Sequence, residues 1–430
     1  MTPAEPSVLR RMRLVGVGVV TAALMATGCG SADPDPDPSN PDPTATVEPD
    51  PTQDPADDTV PGVYPDQILF GQSAAFTGPA QELGINMRRG ILAAFEEANR
   101  QGGVHGRILK LTSRDDFYEP EAAITNTQIL IDFDRVFALI GAVGTPTSRS
   151  ATPIAAEFGV PYVAPFTGAG FLRDDDWDNI VNLRASYAQE TEEMVERLTT
   201  DLGITRIAIM FQDDSFGRAG RTGALAALER RGMAPVATGV YPRNTTAVKS
   251  ALLDLRRGAP EAVILVGAYQ PVAALIDWAR HVGFDPVFMT ISFVGSNALA
   301  DELGAEGEGV YVTQVVPFPL DTSIPVVASY TAALAEYNPE VEPGFVSLEG
   351  YLAGRLAIAG LRECGPEPTR DCFLEHLLGG GVIDIGGFTF DFGDEADRTV
   401  DNQGSDAVFL TVIDADGRYR PATSLQDTGS

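Results

Sequence analysis

The sequence predicts an α/β protein of two lobes, each built on a parallel sheet covered by helices. Three observations carry this. From Gln67 onward, short apolar runs alternate with longer amphipathic ones, the rhythm of successive βα units. The rhythm restarts near residue 188, giving a second unit of similar size rather than one oversized sheet. Finally, 430 residues that are 44% hydrophobic and only 21% charged supply core material for two or three compact units.

In the first unit "QILFGQS" reads as a buried strand. "INMRRGILAAFEEANRQGG" reads as a helix with Ile91, Leu92, Phe95 and Ala98 on one face, stopped by Gly102 and Gly103. "RILKLTSRDD", "VFALIG" and "VPYVAPFTG" follow as strands, separated by the helices "EPEAAITNTQILID" and "PTSRSATPIAAEF". In the second unit the helices "AQETEEMVERLTTDL", "RAGRTGALAALERRG", "TAVKSALLDLRRG" and "QPVAALIDWARHVG" alternate with the strands "RIAIMF", "APVATGVY", "AVILVG", "PVFMT" and "GVYVTQVVP". Two more helical stretches, "IPVVASYTAALAEY" and "VSLEGYLAGRLAIAGLREC", precede a closing strand and turn, "AVFLTVIDADGRYRP".

Acidic residues outnumber basic ones 60 to 30, a net charge of −30 that leaves no clustered cations for nucleic acid. Arg10, Arg11 and Arg13 precede about a dozen apolar residues and then small residues before Cys29, the layout of an export signal too short to span a membrane. "MATGC" resembles a bacterial lipobox, which would make Cys29 the lipidated first residue of an exported, membrane-anchored chain. Ala26 stands where Leu is usual, and the alternative is an ordinary cleaved signal with Cys29 free. "GVGVV" within the apolar run is part of that signal, not a dinucleotide loop. Residues 30–65, rich in Asp and Pro, read as a solvated tether; their Asp-Pro repeats lack the Gly turn and terminal Glu of a calcium loop. In an exported chain Cys364 and Cys372, eight positions apart, are expected to form a local disulfide. His105, His281 and His376 are scattered, so no metal or cofactor is expected.

The stretch "GAVGTPTSRSATPIA" points to a binding site. A strand ends in a small, hydroxyl-rich turn leading into a helix, where Gly144 allows a close approach, Thr145 can cap and Pro146 suits the first helical position. In parallel sheets ligands sit beyond such strand ends, and helix N-termini favour anions. "APFTGAG" repeats the arrangement at Thr167, Gly168, Ala169 and Gly170. In the second unit the corresponding strand ends offer Tyr269, Ser292 and Phe293, an aromatic lid and a hydroxyl. An enzymatic alternative would use the carboxylates of "RDD" (114–116) and "QDDS" (212–215). Neighbours on a strand point to opposite faces, however, and such residues are more often helix caps.

Together "GQSAAFTGPAQELG", "GGVHGR", "VGTPTS", "PFTGAGFLR", "FQDDSFGRAG" and "SFVGSNAL", in this order, resemble the extracytoplasmic solute-binding proteins of branched-chain amino acid ABC transporters, over about residues 66–422. The resemblance implies a type I periplasmic binding protein: two Rossmann-like lobes, residues 66–186 with 320–385 and residues 187–319 with 386–422, joined by a three-crossover hinge. It implies no enzymatic activity and no cofactor. A monomer would capture a small carboxylate-bearing molecule, a hydrophobic amino acid, an amide or an organic acid, and deliver it to an ABC permease; a sensory receptor would use the same cleft. The site residues it implies are Phe76, Thr145, Phe166, Thr167, Gly168, Ala169, Phe216, Tyr269 and Ser292. Amino-acid binders of this family place an acid where Ser292 stands. An ammonium group would therefore need Asp116, Asp214 or Glu82 as a partner, or the ligand is not an ordinary amino acid.

Overall fold

Runs such as Ile207–Gln212 and Ala262–Val266 are buried at every position, so both faces of their sheet must be covered by helices and the strands lie parallel. The computed structural model describes residues 60–174, 176–393 and 401–426. The expected export signal, Cys29 and the tether as far as residue 59 lie outside the described residues.

The first lobe runs β1 (Gln67–Ala74), α1 (Gln81–Arg100), β2 (Ile108–Asp115), α2 (Pro120–Gln128), β3 (Ala138–Ile140), α3 (Thr145–Glu157), β4 (Tyr162–Val163) and β5 (Ile180–Val181). Its parallel sheet has the order β2-β1-β3-β4-β5. The second lobe continues with α4 (Tyr187–Thr200), β6 (Ile207–Gln212), α5 (Ser215–Arg230), β7 (Thr238–Tyr241), α6 (Lys249–Arg257), β8 (Ala262–Val266), α7 (Tyr269–His281), β9 (Val287–Thr290), α8 (Ser296–Leu303) and β10 (Tyr311–Gln314). The chain then returns to the first lobe, where α9 (Pro325–Tyr337) and α10 (Phe345–Glu363) pack on α1. After α11 (Arg370–Leu378) and the hairpin β11 (Val382–Ile385) and β12 (Phe388–Asp391), it crosses once more. The antiparallel strands β13 (Phe409–Ile413) and β14 (Tyr419–Ala422) complete the second sheet, order β14-β13-β10-β9-β8-β6-β7. The three crossings fall between β5 and α4, between β10 and α9, and ahead of β13.

Two boundaries differ from those expected. The fold begins a few residues before 66: Leu69 donates to the Gly62 carbonyl at 2.8 Å, and Val63 bridges Ile68. The third crossing comes near residue 408 rather than 386, because residues 386–393 and 401–404 stay with the first lobe. There Val326 donates to Gly386, and Asn182 donates to the Asn402 carbonyl and accepts from Gly404. The expected disulfide joins Cys364 to Cys372 and ties the end of α10 to α11.

Helix α1 buries Leu83, Met87, Gly90, Ile91, Ala94 and Ala98 at spacings of three and four, the pattern that marks it in the sequence. Its partner α10 is buried from Phe345 through Gly354 without a break, Ser347 and Glu349 included, so it is covered on every side and occupies the centre of the lobe. Their closeness depends on missing side chains: a methyl group on Gly90 would collide with the Ser347 carbonyl, and one on Gly350 with that of Met87. Overpacking of such a contact costs about 1–3 kcal/mol or more. Gly90→Val is therefore expected to lower the free energy of unfolding by at least about 2 kcal/mol in urea titration, whereas valine at the exposed position Glu96 should change it by under about 0.5 kcal/mol.

Candidate functional site

The turns after β3 and β4 converge as their composition suggests. Val143 bridges Phe166, the Gly144 N–H donates to the Phe166 carbonyl at 3.3 Å, and the hydroxyls of Thr145 and Thr167 lie 2.7 Å apart. Gly144, with φ 109°, is the residue flanking the start of α3, and a Cβ there would strike the Tyr118 ring. Thr145 is the first helical residue and not the cap. Its hydroxyl turns to Thr167 instead of the helix backbone, so the two loops present a pair of hydroxyls beside the N-terminus of α3. Both threonines are fully buried.

What buries them is aromatic and comes from both lobes. The Phe293 ring lies 5.4 Å from Phe166, 6.2 Å from Tyr118 and 6.4 Å from Tyr187, while Phe216 approaches it to 4.4 Å. Tyr118 and Phe166 belong to the first lobe, Tyr187 to the first crossing, and Phe216 and Phe293 to the second lobe. The lobes are held together across this seam by the ion pair of Arg243 with Glu119 and by Asn244, whose amide donates to the Phe117 carbonyl at 3.2 Å. The buried Tyr187 hydroxyl lies beside Thr145 and Thr167, and the buried Tyr118 hydroxyl beside Gln212, none of these contacts being a well-aligned hydrogen bond. Burial pushes the Tyr187 phenol up to about 12, so it stays a proton donor at neutral pH.

Below the seam is a buried charge cluster. Arg184 lies 3.7 Å from Glu190 and 3.6 Å from Glu349, its guanidinium covers the Phe166 ring at 4.6 Å, and it donates to the Ser292 hydroxyl. Glu190 also accepts from the Ser292 N–H at 2.8 Å, the Ser292 hydroxyl at 3.0 Å and Thr313 at 2.7 Å. Burial raises both glutamates despite the guanidinium, Glu349 to about 7.

The structure thus brings Thr145, Phe166, Thr167, Gly168, Ala169 and Phe216 together, and separates three other candidates from them. The Ser292 hydroxyl is taken up by Glu190 and Arg184, and its neighbour Phe293 occupies the seam. Tyr269 packs near Gly295 and Leu83 with its hydroxyl against the backbone of Glu82. Phe76 is half-buried under the Arg88 guanidinium, 4.2 Å from its ring centre. Of the proposed ammonium partners, Asp116 accepts from Ser73 and the Tyr118 N–H, and burial raises it to about 7. Asp214 caps α5 through Phe216 and Gly217 and accepts from Gln212. Asp115 likewise serves the N–H groups of Phe76 and Phe117, so the aspartates of 115–116 and 214 are structural acceptors rather than an acid–base pair.

The third, Glu82, lies on a different hollow. An interlobe groove of about 640 Å³ is lined by Glu82, Asp301, Glu302, Glu340 and Glu342 with Arg89, and by Tyr269. Its acid excess repels a carboxylate, whereas the seam beside the threonines offers neutral donors and a helix N-terminus. Beside the seam a small hollow of about 10 Å³ lies between Tyr118, Gln212 and Ala268, while the threonines themselves are buried under the aromatic rings.

Tyr187 and Arg184 were not selected from the sequence. Ser186 and Gln189 form a capping box, and "SYAQ" carries that signal, which places Tyr187 at the first helical position. Nothing local marks Arg184: apart from Glu190, six residues on, its partners Phe166, Ser292 and Glu349 come from three separate segments.

The model of the family described as periplasmic binding protein matches residues 67–418. A possible leucine/isoleucine/valine-binding protein from Rhodopirellula baltica SH 1 is 39% identical, covering 87% of this chain and 100% of that one, with a TM-score of 0.79. A substrate-binding periplasmic protein from Ralstonia solanacearum is 28% identical over 82% of this chain and 99% of its own, with a TM-score of 0.77. The Leu/Ile/Val-binding protein homolog 7 of Brucella abortus (strain 2308) is 26% identical over 310 residues, 69% of this chain and 77% of that protein. No helix among the described residues is long and apolar enough to cross a membrane.

Asp116 and Glu349 are both raised to about 7 from ordinary values of 3.8 and 4.5. A carboxyl raised on folding stabilises the fold fully below its ordinary range, and that contribution is lost as pH climbs through 7. Unfolding free energy should therefore fall between pH 5 and pH 8, and urea titrations of Asp116→Asn and Glu349→Gln should each show a flatter decline than the parent protein.

Proposed function

Because the chain belongs to the periplasmic binding protein family, in the type I group that includes the Leu/Ile/Val-binding proteins, and so acts outside the cytoplasm as a binding protein rather than an enzyme, we propose that it captures a small carboxylate between its lobes and delivers it to an ABC permease. The observation that carries this is the meeting of Thr145 and Thr167 at the N-terminus of α3, inside the seam where the two lobes close. A carboxylate there accepts from the threonine pair, from the N–H groups of Thr145 and Thr147 at the start of α3 and from the Tyr187 phenol. The helix end contributes only about 0.3–2 kcal/mol, against about 8 kcal/mol for micromolar affinity. Most of the binding therefore comes from those donors and from the rings of Phe166, Phe216 and Phe293 closing over the apolar part of the guest.

Gly168 and Ala169 complete the first-lobe loop: a Cβ on Gly168 would collide with the Tyr187 ring, so glycine here sets how closely that phenol approaches the threonines. Tyr269 and Phe76 stand along the approach rather than at the carboxylate, and Tyr269 closes on α1 through Glu82. Cys29 as a lipid anchor, and residues 30–59 as its tether, would hold the receptor beside the permease as a monomer.

Thr145→Val keeps the shape and removes one donor. Since a hydrogen bond to a charged group is worth about 1.5–3 kcal/mol, calorimetry with whichever carboxylate binds best should show a loss of at least about tenfold, with the thermal midpoint of the unliganded protein unchanged within a few degrees. Unaltered affinity would move the site away from these loops.

A further inference from the structure

We infer that the guest is an aromatic monocarboxylate without an ammonium group; this rests on the seam being the binding site, and narrows what the seam accepts. Two independent features lead there. The first is charge. A zwitterionic amino acid must bury its ammonium within a few ångströms of its carboxylate, and a buried ammonium without a counter-charge is strongly disfavoured. The acids near the seam are already committed: Asp116 accepts from Ser73 and the Tyr118 N–H, and Glu349 pairs with Arg184. Asp214 spends its oxygens on Phe216, Gly217 and Gln212, with Arg243 at 3.8 Å. Glu190 serves Ser292, Thr313 and Arg184, and Glu119 serves Arg243 and Asn244. Where an acid would face the threonines across the seam, the ring of Phe293 stands.

The second feature is the wall. Both faces of the seam are aromatic, with Tyr118 and Phe166 on the first lobe opposed to Phe216 and Phe293 on the second. When the lobes part, Phe293 and Phe216 withdraw from Tyr118 and Phe166, and a flat ring is the guest whose two faces both gain offset or edge contacts when they return. Two hydroxyls without a well-aligned hydrogen bond, those of Tyr187 and Tyr118, are buried at this seam, and the first lies beside the paired threonines. A ring carrying its carboxylate on a short arm satisfies the Tyr187 phenol while the ring fills the seam.

The test uses matched pairs that differ only in the ammonium or only in the ring: 3-phenylpropanoate with L-phenylalanine, and 4-methylpentanoate with L-leucine. Each is titrated calorimetrically at pH 7 into protein freed of co-purified ligand by denaturation and refolding. The expected order places 3-phenylpropanoate at least about tenfold tighter than L-phenylalanine, because only the latter brings an unpaired cation, and about fivefold or more tighter than 4-methylpentanoate, from the added ring contacts. Phe293→Leu should erase the preference for the ring while keeping the preference for the deaminated acid. The proposal is overturned if either amino acid binds as tightly as its deaminated partner, if the aliphatic acid matches the aromatic one, or if none of the four binds at millimolar concentration. An amino acid that binds and is weakened by Thr145→Val leaves the seam as the site and removes only the ligand class. An amino acid that binds regardless of Thr145→Val removes both.

Discussion

One guanidinium holds the centre of this molecule. Arg184 leaves the first lobe at the end of β5 and meets Glu190 from the first helix of the second lobe, Glu349 from the returning helix α10, and Ser292 from the end of β9. Its contacts therefore span both lobes at the level of the crossings. An isolated buried charge would be untenable, and two carboxylates plus the Phe166 ring are what make it tolerable. The site is built on the same contacts. Phe166, under the guanidinium, fixes the loop that carries Thr167, and Ser292, held by both Arg184 and Glu190, aims its neighbour Phe293 across the seam. Binding geometry and hinge geometry are in this sense one structure.

The cluster holds more negative than positive groups, and burial raises both glutamates. With Glu349 near 7, neutrality is approached when that carboxyl is protonated, a compromise between the cost of burying a second anion and the attraction of Arg184. Glu190 has the richer hydrogen bonding, three donors at 2.7 to 3.0 Å, which favours keeping its own charge. The two acids therefore play unequal parts: Glu190 pins the second-lobe strands β9 and β10, whereas Glu349 balances charge on the first-lobe side.

Much of the architecture is legible in the sequence because it is local. Alternating apolar runs mark the strands from Gln67 to Gln314, the three-and-four spacing from Leu83 to Ala98 marks α1, and Asp214 before Phe216 marks a cap. Elements that escape are too short or too dependent on partners: β5 is two residues long, and α11 has little apolar face. The last crossing sits some twenty residues beyond its expected place because the β11–β12 hairpin pairs with itself and rests on the first lobe, which no pattern of its own residues requires. At the site, the two small-residue turns are readable from Gly144, Thr145, Thr167 and Gly168. Ser292 is not, since its hydroxyl is claimed by residues 102 and 108 positions away. Tyr118 is hidden for another reason. It adopts φ 61°, an uncommon backbone state for a large side chain, and only in that state does its ring reach Gly144.

A chain with a net charge of −30 is an unpromising receptor for an anion if charge is counted over the whole molecule. At physiological ionic strength surface charges are screened over about 8 Å, so the field inside a closed seam is set by the groups that line it. There the carboxylates are capped or paired, the hydroxyls of Thr145, Thr167 and Tyr187 are neutral donors, and the start of α3 contributes a positive end. The acidic groove containing Glu82, Asp301 and Glu302 lies elsewhere between the lobes. Excluding water strengthens each donor in the seam, and the rings that exclude it are the ones whose apolar area favours closure. Polar recognition and hydrophobic closure thus reinforce one another: opening the lobes weakens both together, and closing them over a guest restores both.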